Sequence, residues 1–414
     1  MDIGYLMQGG APDLRSQPFS GPANHVRQVI KELNKLGHKV RLLVQYDERV
    51  WKSDDLESFN PVPSRYLDSR PFRLTERFVR RLQHELRLPY AALFQSLRFA
   101  LACNQELRGF DLLYERMGWS SYGGALAAGR LDLPLVLEVN GDHLSEMEKL
   151  NVAPQGFQRW LSIRLTGWGV RRAAHIVAAG EGWRTCFIDQ WQVDPRKVTV
   201  VENGSELVDI LEREQLRTFR TRVGAPQVTK IVFVGGFQQW QGVSVLLHAL
   251  ARVTAQSIPV QLTLIGAGPE AQTVKQLVRQ LEMDACVRFT GFLPPDQLAV
   301  SLAEADIGVS PYCGRAEYSG LKLLDYKAAG LAIIASGQNG QPSILVHGKT
   351  GWIVPPCDEK ALADAISLLS TDSELRRRIG REARNEAEVL HRWRKTAEQL
   401  DALFNHLKKP GVTE

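Results

Sequence analysis

Residues 314–330 read Gly314-Arg315-Ala316-Glu317-Tyr318-Ser319-Gly320-Leu321-Lys322-Leu323-Leu324-Asp325-Tyr326-Lys327-Ala328-Ala329-Gly330, and an apolar run, Leu331 to Ala335, follows at once. The segment from Leu321 reads as a helix carrying Lys322 and Asp325, and Gly330 is a helix-stop residue leading into a strand. The small-residue turn Ser319-Gly320 leaves the first N–H groups of that helix unpaired, a common way of holding a phosphate. Glu317 and Asp325, on either side of the turn, suit hydroxyl-rich partners such as a sugar and a ribose. The stretch is therefore read as a nucleotide-sugar site within an α/β fold.

Outward from this stretch the same alternation recurs. Short apolar runs at Ile3–Met7, Val40–Val44, Leu112–Tyr114, Leu135–Val139, Ile176–Ala179 and Val198–Val201 form a first half. Runs at Ile231–Val234, Leu262–Ile265, Val287–Phe289, Ile307–Ser310 and Ala332–Ala335 form a second. Apolar runs separated by helical stretches predict two doubly wound, Rossmann-like parallel sheets covered on both faces. In such sheets ligands gather at the carboxyl ends of the strands, here facing a central cleft. A polar stretch, Ser205 to Lys230, separates the halves. The expected division is an N-terminal domain of residues 1–204, completed by a crossing helix at about 386–414, and a C-terminal domain of residues 205–385. Trp393, Ala397, Leu400 and Phe404 fall at helical spacing in that last segment.

At 414 residues the chain exceeds what one core usually organises. The formal net charge is +5. Residues 1–200 carry 27 Lys and Arg against 22 Asp and Glu, so the whole excess lies in the first half. The five cysteines (Cys103, Cys186, Cys286, Cys313 and Cys357) show no CxxC pair and no metal-ligand spacing, and they are read as free thiols in a reducing cytoplasm. The early strand at Ile3 leaves no room for a signal peptide. No apolar run approaches the roughly 20 residues that span a bilayer. A cytoplasmic protein is expected, either free or peripheral at the inner face of the membrane.

Other strand ends carry their own signals. Gly9-Gly10 opens a loop that continues through Ser20 to His25, with a helix expected from Val26 to Leu36; alone it reads equally as a plain turn or as a binding loop. Leu137-Glu138-Val139-Asn140-Gly141-Asp142-His143 places Glu138, Asn140, Asp142 and His143 at or past a strand end, where Asp142 or His143 is a candidate proton acceptor and Asp142 equally a helix cap. Gly235 and Gly236 follow the first strand of the second half, ahead of Gln241-Gly242, and Gly266 follows the next strand, ahead of Gly268-Pro269. No two aspartates are separated by a single residue, so no Asp-x-Asp metal clamp is available for a diphosphate. Helix-start amides and the cations Lys322 and Arg315 are its candidate partners. Arg70 to Arg98 holds seven arginines against Glu76 and Glu85, with Phe78, Leu82, Leu86 and Leu93 interleaved. That pattern fits an anionic membrane surface or a solvated helix. No aromatic-rich basic groove points to nucleic acid.

The combination resembles glycosyltransferase family 4, the group 1 nucleotide-sugar transferases of GT-B fold. It does so through Val201–Glu206, Phe233–Gly242, Ile265–Pro269, Val287–Leu293 and Glu317–Gly330, the last similar to the family's E-x7-E pattern. The resemblance implies donor binding in the C-terminal domain, a last helix that crosses back, no metal, no cofactor, and retention of anomeric configuration. It implies that Glu317 meets the transferred sugar, Asp325 the ribose, and Tyr318, Ser319, Gly320 and Leu321 the diphosphate. Tyr114-Glu115-Arg116 and Leu137–Asn140 resemble runs of a subgroup in which this half, with Gly9, Gly10, Glu115 and Glu138, supplies the acceptor side. Asp325 stands where the family usually has Glu, Asn140 where many members have His, and Gly236 and Gln241 where many have Arg and Lys. Losing two cations from an anion site costs several kcal/mol unless others substitute. Lys322 and Arg315 are the substitutes at hand.

The expected function is metal-independent, retaining transfer of a sugar from a nucleoside-diphosphate sugar to an acceptor hydroxyl. A nucleotide-sugar binder without turnover is the first alternative. An NAD(P) oxidoreductase ranks below both, because neither half begins with GxGxxG. The donor sugar, base and acceptor are not encoded in any motif.

Overall fold

A computed structural model describes residues 1–17, 19–46, 49–63, 69–85, 93–141, 144, 147–148, 153–213, 228–313 and 320–408. The chain forms two compact units, Met1–Val201 with Ala397–Glu414, and Glu202–Thr396. The sequence reading placed the divisions at 204/205 and 385/386.

In the first unit the order is β1 (Asp2–Met7), α1 (Gly21–Lys35), β2 (Lys39–Tyr46), β3 (Arg49–Ser53), β4 (Asn60–Pro61), α2 (Arg70–Glu85), α3 (Leu93–Glu106), β5 (Leu112–Arg116), α4 (Gly123–Leu131), β6 (Leu135–Val139), α5 (Gly156–Arg172), β7 (His175–Ala178), α6 (Glu181–Trp191) and β8 (Val198–Val200). Its sheet runs β4-β3-β2-β1-β5-β6-β7-β8. The strands are parallel except for β3 and β4, a small antiparallel edge on β2 that the sequence reading missed. The chain passes from β1 to β2 on one side and later to β5 on the other, so the switch point lies between β1 and β5.

Helix α1 begins at Gly21, five residues before the expected Val26. Ser20 caps it, its Oγ accepting from Ala23 N at 3.3 Å, and Pro22 sits in the first turn. The Ser-x-Pro signal was legible, and it carries His25 into the helix instead of the loop.

The second unit contains α7 (Leu207–Arg213), β9 (Thr229–Val234), α8 (Val243–Ala255), β10 (Val260–Ile265), α9 (Ala271–Gln280), β11 (Val287–Gly291), α10 (Pro295–Ala303), β12 (Ile307–Ser310), α11 (Leu321–Ala328), β13 (Ala332–Ser336), β14 (Trp352–Val354), α12 (Glu359–Thr371) and α13 (Ser373–Leu390), and the start of α14 (Trp393–Leu407). Its sheet, β11-β10-β9-β12-β13-β14, is parallel throughout, with the switch point between β9 and β12. Successive residues alternate between its two cores. Ile231 and Phe233 join Leu247, Leu264 and Ile366 on one face, while Val232 joins Leu302, Leu324 and Tyr326 on the other. Burial on both faces is why these strands read as continuous apolar runs.

From Ala397 onward α14 belongs to the first unit. Ala397, Leu400 and Phe404 are buried there, with Phe404 edge-on to Tyr114 at 5.2 Å and Lys408 paired to Asp111 at 3.1 Å.

One sequence expectation is corrected. Cys313 and Cys357 form a disulfide, so not all five cysteines are free thiols. The bond joins the exits of β12 and β14, which flank β13, and no sequence spacing reports that proximity. Among the described residues no helix is long and apolar enough to cross a membrane.

Candidate functional site

In the second unit three strand exits meet at the β9/β12 switch point. Gly235 follows β9 and its N–H donates to Ile265 O at 3.0 Å. Gly266, leaving β10 at φ +123°, lies so close that a Cβ on it would fall 1.9 Å from Gly235 O. Gly242, at φ +67°, is equally close to the exit of β12, where a Cβ would fall 1.7 Å from Pro311 O. Cys313 N donates to Trp240 O at 2.8 Å. Much of the glycine signal thus serves backbone-on-backbone packing of the three loops, which makes them a single surface.

Helix α11 is locked beneath these loops. Gly320 at its N-cap adopts φ +46°, and Gly330 stops the chain beyond it at φ +61°. Buried Tyr326 Oη accepts from Val234 N at 2.8 Å and donates to Val309 O at 3.3 Å, fastening the helix to the exits of β9 and β12. The first-turn amides of Leu321 and Lys322 precede the first helical acceptor bond, which Leu324 N makes to Gly320 O. Lys322 is buried, with Nζ 4.6 Å from the Phe233 ring centre and 4.8 Å from that of Tyr312. The Phe233 ring itself lies against Gly235, within 2.8 Å of where a Cβ would stand.

One turn further along, Ser205 Oγ donates to Asp325 Oδ1 at 2.6 Å and accepts from Leu207 N at 3.1 Å, so it caps α7 and holds the carboxyl at once. Asp325 keeps part of its surface exposed. Burial of the carboxyl and the neighbouring Glu206 nevertheless raise its pKa to about 7, against the lowering effect of Ser205. Ser205 lies in the family-like run Val201–Glu206, and its position two residues before a helix is the sequence signal for its capping role.

The two positions that lack the family's cations are neighbours. Gln241 Oε1 lies 2.1 Å from where a Cβ on Gly235 would stand, and Gln241 Nε2 lies 4.0 Å from the Cβ position of Gly236, whose nearest neighbour among the described residues is Ala267 O at 3.9 Å. Gln241 Oε1 is buried and has no hydrogen-bond partner among the described residues. Glu317, Arg315, Tyr318 and Ser319, like Asp142 and His143 of the first unit, lie outside the described residues.

In the first unit Gly9 and Gly10 leave β1 at φ +70° and +67° and are exposed. Asn140, just past β6, keeps Nδ2 buried and without a hydrogen bond among the described residues. Glu138 and Glu115 differ from the expectation that they line an acceptor surface, because each is only 3% exposed. Glu138 accepts from Tyr5 Oη at 2.9 Å, lies 2.6 Å from His25 Nε2 and is 3.8 Å from Arg116 Nη1. Burial alone would raise its pKa, but His25 and Arg116 hold it down to about 2. These groups lock the ends of β1, β5 and β6 together. Glu115 has only burial acting on it, which pushes its pKa up to about 8. Its Oε1 has no hydrogen-bond partner among the described residues, and it borders a cavity of about 10 Å³, room for one water at most. His25, which completes the Glu138 cluster, was not singled out in the sequence because the cap that places it on α1 went unread.

Comparison with known proteins agrees with this layout. The family model described as Glycosyl transferases group 1 matches residues 218–386, and that described as Glycosyl transferase 4-like domain matches residues 20–204. The chain is 30% identical over 228 residues to the D-inositol 3-phosphate glycosyltransferase of Corynebacterium efficiens, covering 53% of each chain. It is 28% identical over 193 residues to the N-acetyl-alpha-D-glucosaminyl L-malate synthase of Bacillus anthracis, covering 46% of this chain and 49% of the relative. The chain thus spans about half the length of the curated relatives it matches. Among solved structures, HepE of Anabaena in complex with UDP and glucose superposes with a TM-score of 0.68 at 17% identity, covering 98% of this chain and 99% of that one. Two family models on two doubly wound sheets have one reading: the chain belongs to the group 1 glycosyltransferases of GT-B fold.

Proposed function

We propose that this protein transfers a sugar from a nucleoside-diphosphate sugar to an acceptor hydroxyl, without a metal ion and with retention of configuration. The observation that carries the reading is the fused loop surface at the β9/β12 switch point, with Asp325 presented by Ser205 on one side and the N-terminus of α11 on the other. Metal independence is supported by the missing Asp-x-Asp clamp in the sequence. In its place, the first-turn amides of α11 and the Lys322 ammonium meet the diphosphate as negative charge develops on it. Asp325 accepts from the ribose hydroxyls and Glu317 from the transferred sugar. No enzyme nucleophile is required when the acceptor attacks from the face the diphosphate leaves, which is the basis of the retaining assignment. The basic first half supports an anionic or lipid-linked acceptor at a membrane surface.

A second reading, donor binding with little turnover, is favoured by the uncharged Gly236 and Gln241 pair. Thermal-shift titration with UDP-, GDP- and ADP-sugars tests the donor class, and HepE's complex with UDP makes the uridine donors the first arm. A donor at about 100 times its dissociation constant should stabilise by about 2.7 kcal/mol. Release of nucleoside diphosphate from the best donor, abolished in Glu317→Ala, supports the transferase. Stabilisation without release in the presence of lipid and sugar acceptors supports the binder, and no stabilisation by any donor overturns both.

A further inference from the structure

Helix α2 is amphipathic with the wrong face outward. Its inward side carries a carboxylate: Glu76 is 5% exposed and accepts from Arg80 Nη2 at 2.7 Å and from Arg98 Nη1 of α3 at 3.0 Å. Phe72 adds an edge-on contact to Phe94 of α3, with ring centres 5.7 Å apart. The side turned to solvent holds Leu74, Phe78 and Leu82, which are 64%, 67% and 42% exposed. Their four-residue spacing puts them in one stripe along the helix. Arg70, Arg73, Arg77 and Arg81 are exposed beside that stripe, and Glu85 is the one exposed acidic residue on the helix, paired with Arg81 at 2.9 Å.

We infer that this face of α2 docks on an anionic lipid bilayer, with Leu74, Phe78 and Leu82 entering the headgroup boundary and the arginine row lying against lipid phosphates. The buried Glu76–Arg98 pair and the Phe72–Phe94 contact hold the helix on its own unit, and Leu74, Phe78 and Leu82 stay exposed among the described residues. Charge complementarity chooses the partner. A second copy laid on this face would set arginine rows in the same small area, where like charges oppose each other. A nucleic-acid backbone would satisfy the arginines but not the leucines. An anionic bilayer offers negative charge at its surface and an apolar layer a few ångströms below, matching both parts of the face. The contact deepens the proposed membrane-side acceptor reading by naming where the membrane sits, and it needs neither donor nor acceptor to be observed, so its failure and the failure of the transfer reading are read separately.

The test is co-sedimentation of the full chain with vesicles of phosphatidylcholine, with and without about one-third phosphatidylglycerol. Partitioning onto the anionic vesicles, weakened by salt and much lower on neutral ones, is expected. Arg70→Gln/Arg77→Gln/Arg81→Gln should lower the partition coefficient about 100-fold, at about fivefold per arginine. The corresponding triple lysine variant should retain most of it, since the attraction is to charge. Leu74→Ser/Phe78→Ser should lower it at least about tenfold by removing the inserted stripe. All three variants should keep the wild-type thermal transition, because the altered side chains are exposed. Equal binding to neutral and anionic vesicles, or unchanged binding of both the glutamine and the serine variants, overturns the inference. So does a wild-type dimer that Leu74→Ser/Phe78→Ser converts to monomer, which would assign the face to a second copy.

Discussion

Ser205 Oγ donates to Asp325 Oδ1 at 2.6 Å while accepting from Leu207 N, so one hydroxyl ties the start of α7 to the carboxyl expected to hold the ribose. Shortening Glu to Asp at this position withdraws the carboxyl by one methylene, and the Ser205 bond fixes it in the withdrawn place. Burial there and the nearby Glu206 favour its neutral form, against the lowering effect of Ser205, and its pKa is raised to about 7.

Donor affinity should therefore depend on pH. A carboxylate accepts from two ribose hydroxyls better than a carboxylic acid, so affinity should rise as pH increases through about 7. In the free protein the sign is opposite: a raised pKa contributes stability below the usual carboxylate range, and that contribution is lost as pH rises through about 7. Asp325→Asn should bind donor about 10- to 100-fold more weakly and with a flat profile, measured by calorimetry between pH 6 and 8. A wild-type profile that is already flat would sink the ribose assignment.

Lys322 is positioned over Phe233 and Tyr312, beside the Gly235 loop. Lys322→Ala should weaken donor binding by about 10- to 100-fold, the worth of a charge-assisted hydrogen bond. The nucleoside without phosphates should bind both proteins alike. Undiminished donor binding in the variant would remove Lys322 from the diphosphate.

Gly236 and Gln241 can be converted to the common family pair. Among the described residues the nearest neighbours of a Cβ on Gly236 stand at 3.9 and 4.0 Å, ordinary van der Waals contact, so a side chain can start there without displacing backbone. Gly236→Arg/Gln241→Lys should tighten donor binding by about tenfold or more, read by thermal shift and calorimetry. No change would mean that the diphosphate charge is already met in the native protein.

Glu115 makes an independent prediction about stability. Its pKa is raised to about 8 from the usual 4.5, so its contribution is fully present below about 4.5 and is lost as pH rises through about 8. The loss should amount to a few kcal/mol at the alkaline end. Glu115→Gln should remove that pH dependence and raise the thermal transition of the wild type at pH 8 to 9, followed by circular dichroism. A transition falling in parallel for both proteins would place the alkaline loss elsewhere.

Cys313→Ser/Cys357→Ser should destabilise the second unit. Closing a loop over a sequence separation of 44 residues lowers the entropy of the unfolded chain, worth up to about 4 kcal/mol. Denaturant titration with and without reductant measures it; equal midpoints for reduced and oxidised protein would show that the bond adds nothing.

Much of the fold was legible because parallel strands buried on both faces must be apolar along their whole length. Ile307–Ser310 and Leu135–Val139 were read with their observed bounds for that reason. β3, β4 and β14 escaped because they are short or lie at sheet edges, where one-sided burial leaves too few apolar residues to make a run. Glu115 and Glu138 are charged residues on strand ends, a pattern shared by cleft-facing and buried carboxylates. What distinguishes them is the covering by α1 and α4, which depends on packing rather than on local sequence.

By itself, the sequence determined two parallel α/β units, the order of the glycine loops of the second unit and membership of a transferase family, because periodicity and motif spacing are local properties of the chain. Only the tertiary structure decided that glycines after β9 and β10 press the loops of β9, β10 and β12 into one surface, that Ser205 holds Asp325, that Cys313 meets Cys357, and that α2 buries Glu76 while exposing Leu74 and Phe78. Each of these joins elements well apart in the chain or depends on which helix face a neighbour covers. Such contacts are set by how the layers close, and no local pattern of residues encodes them.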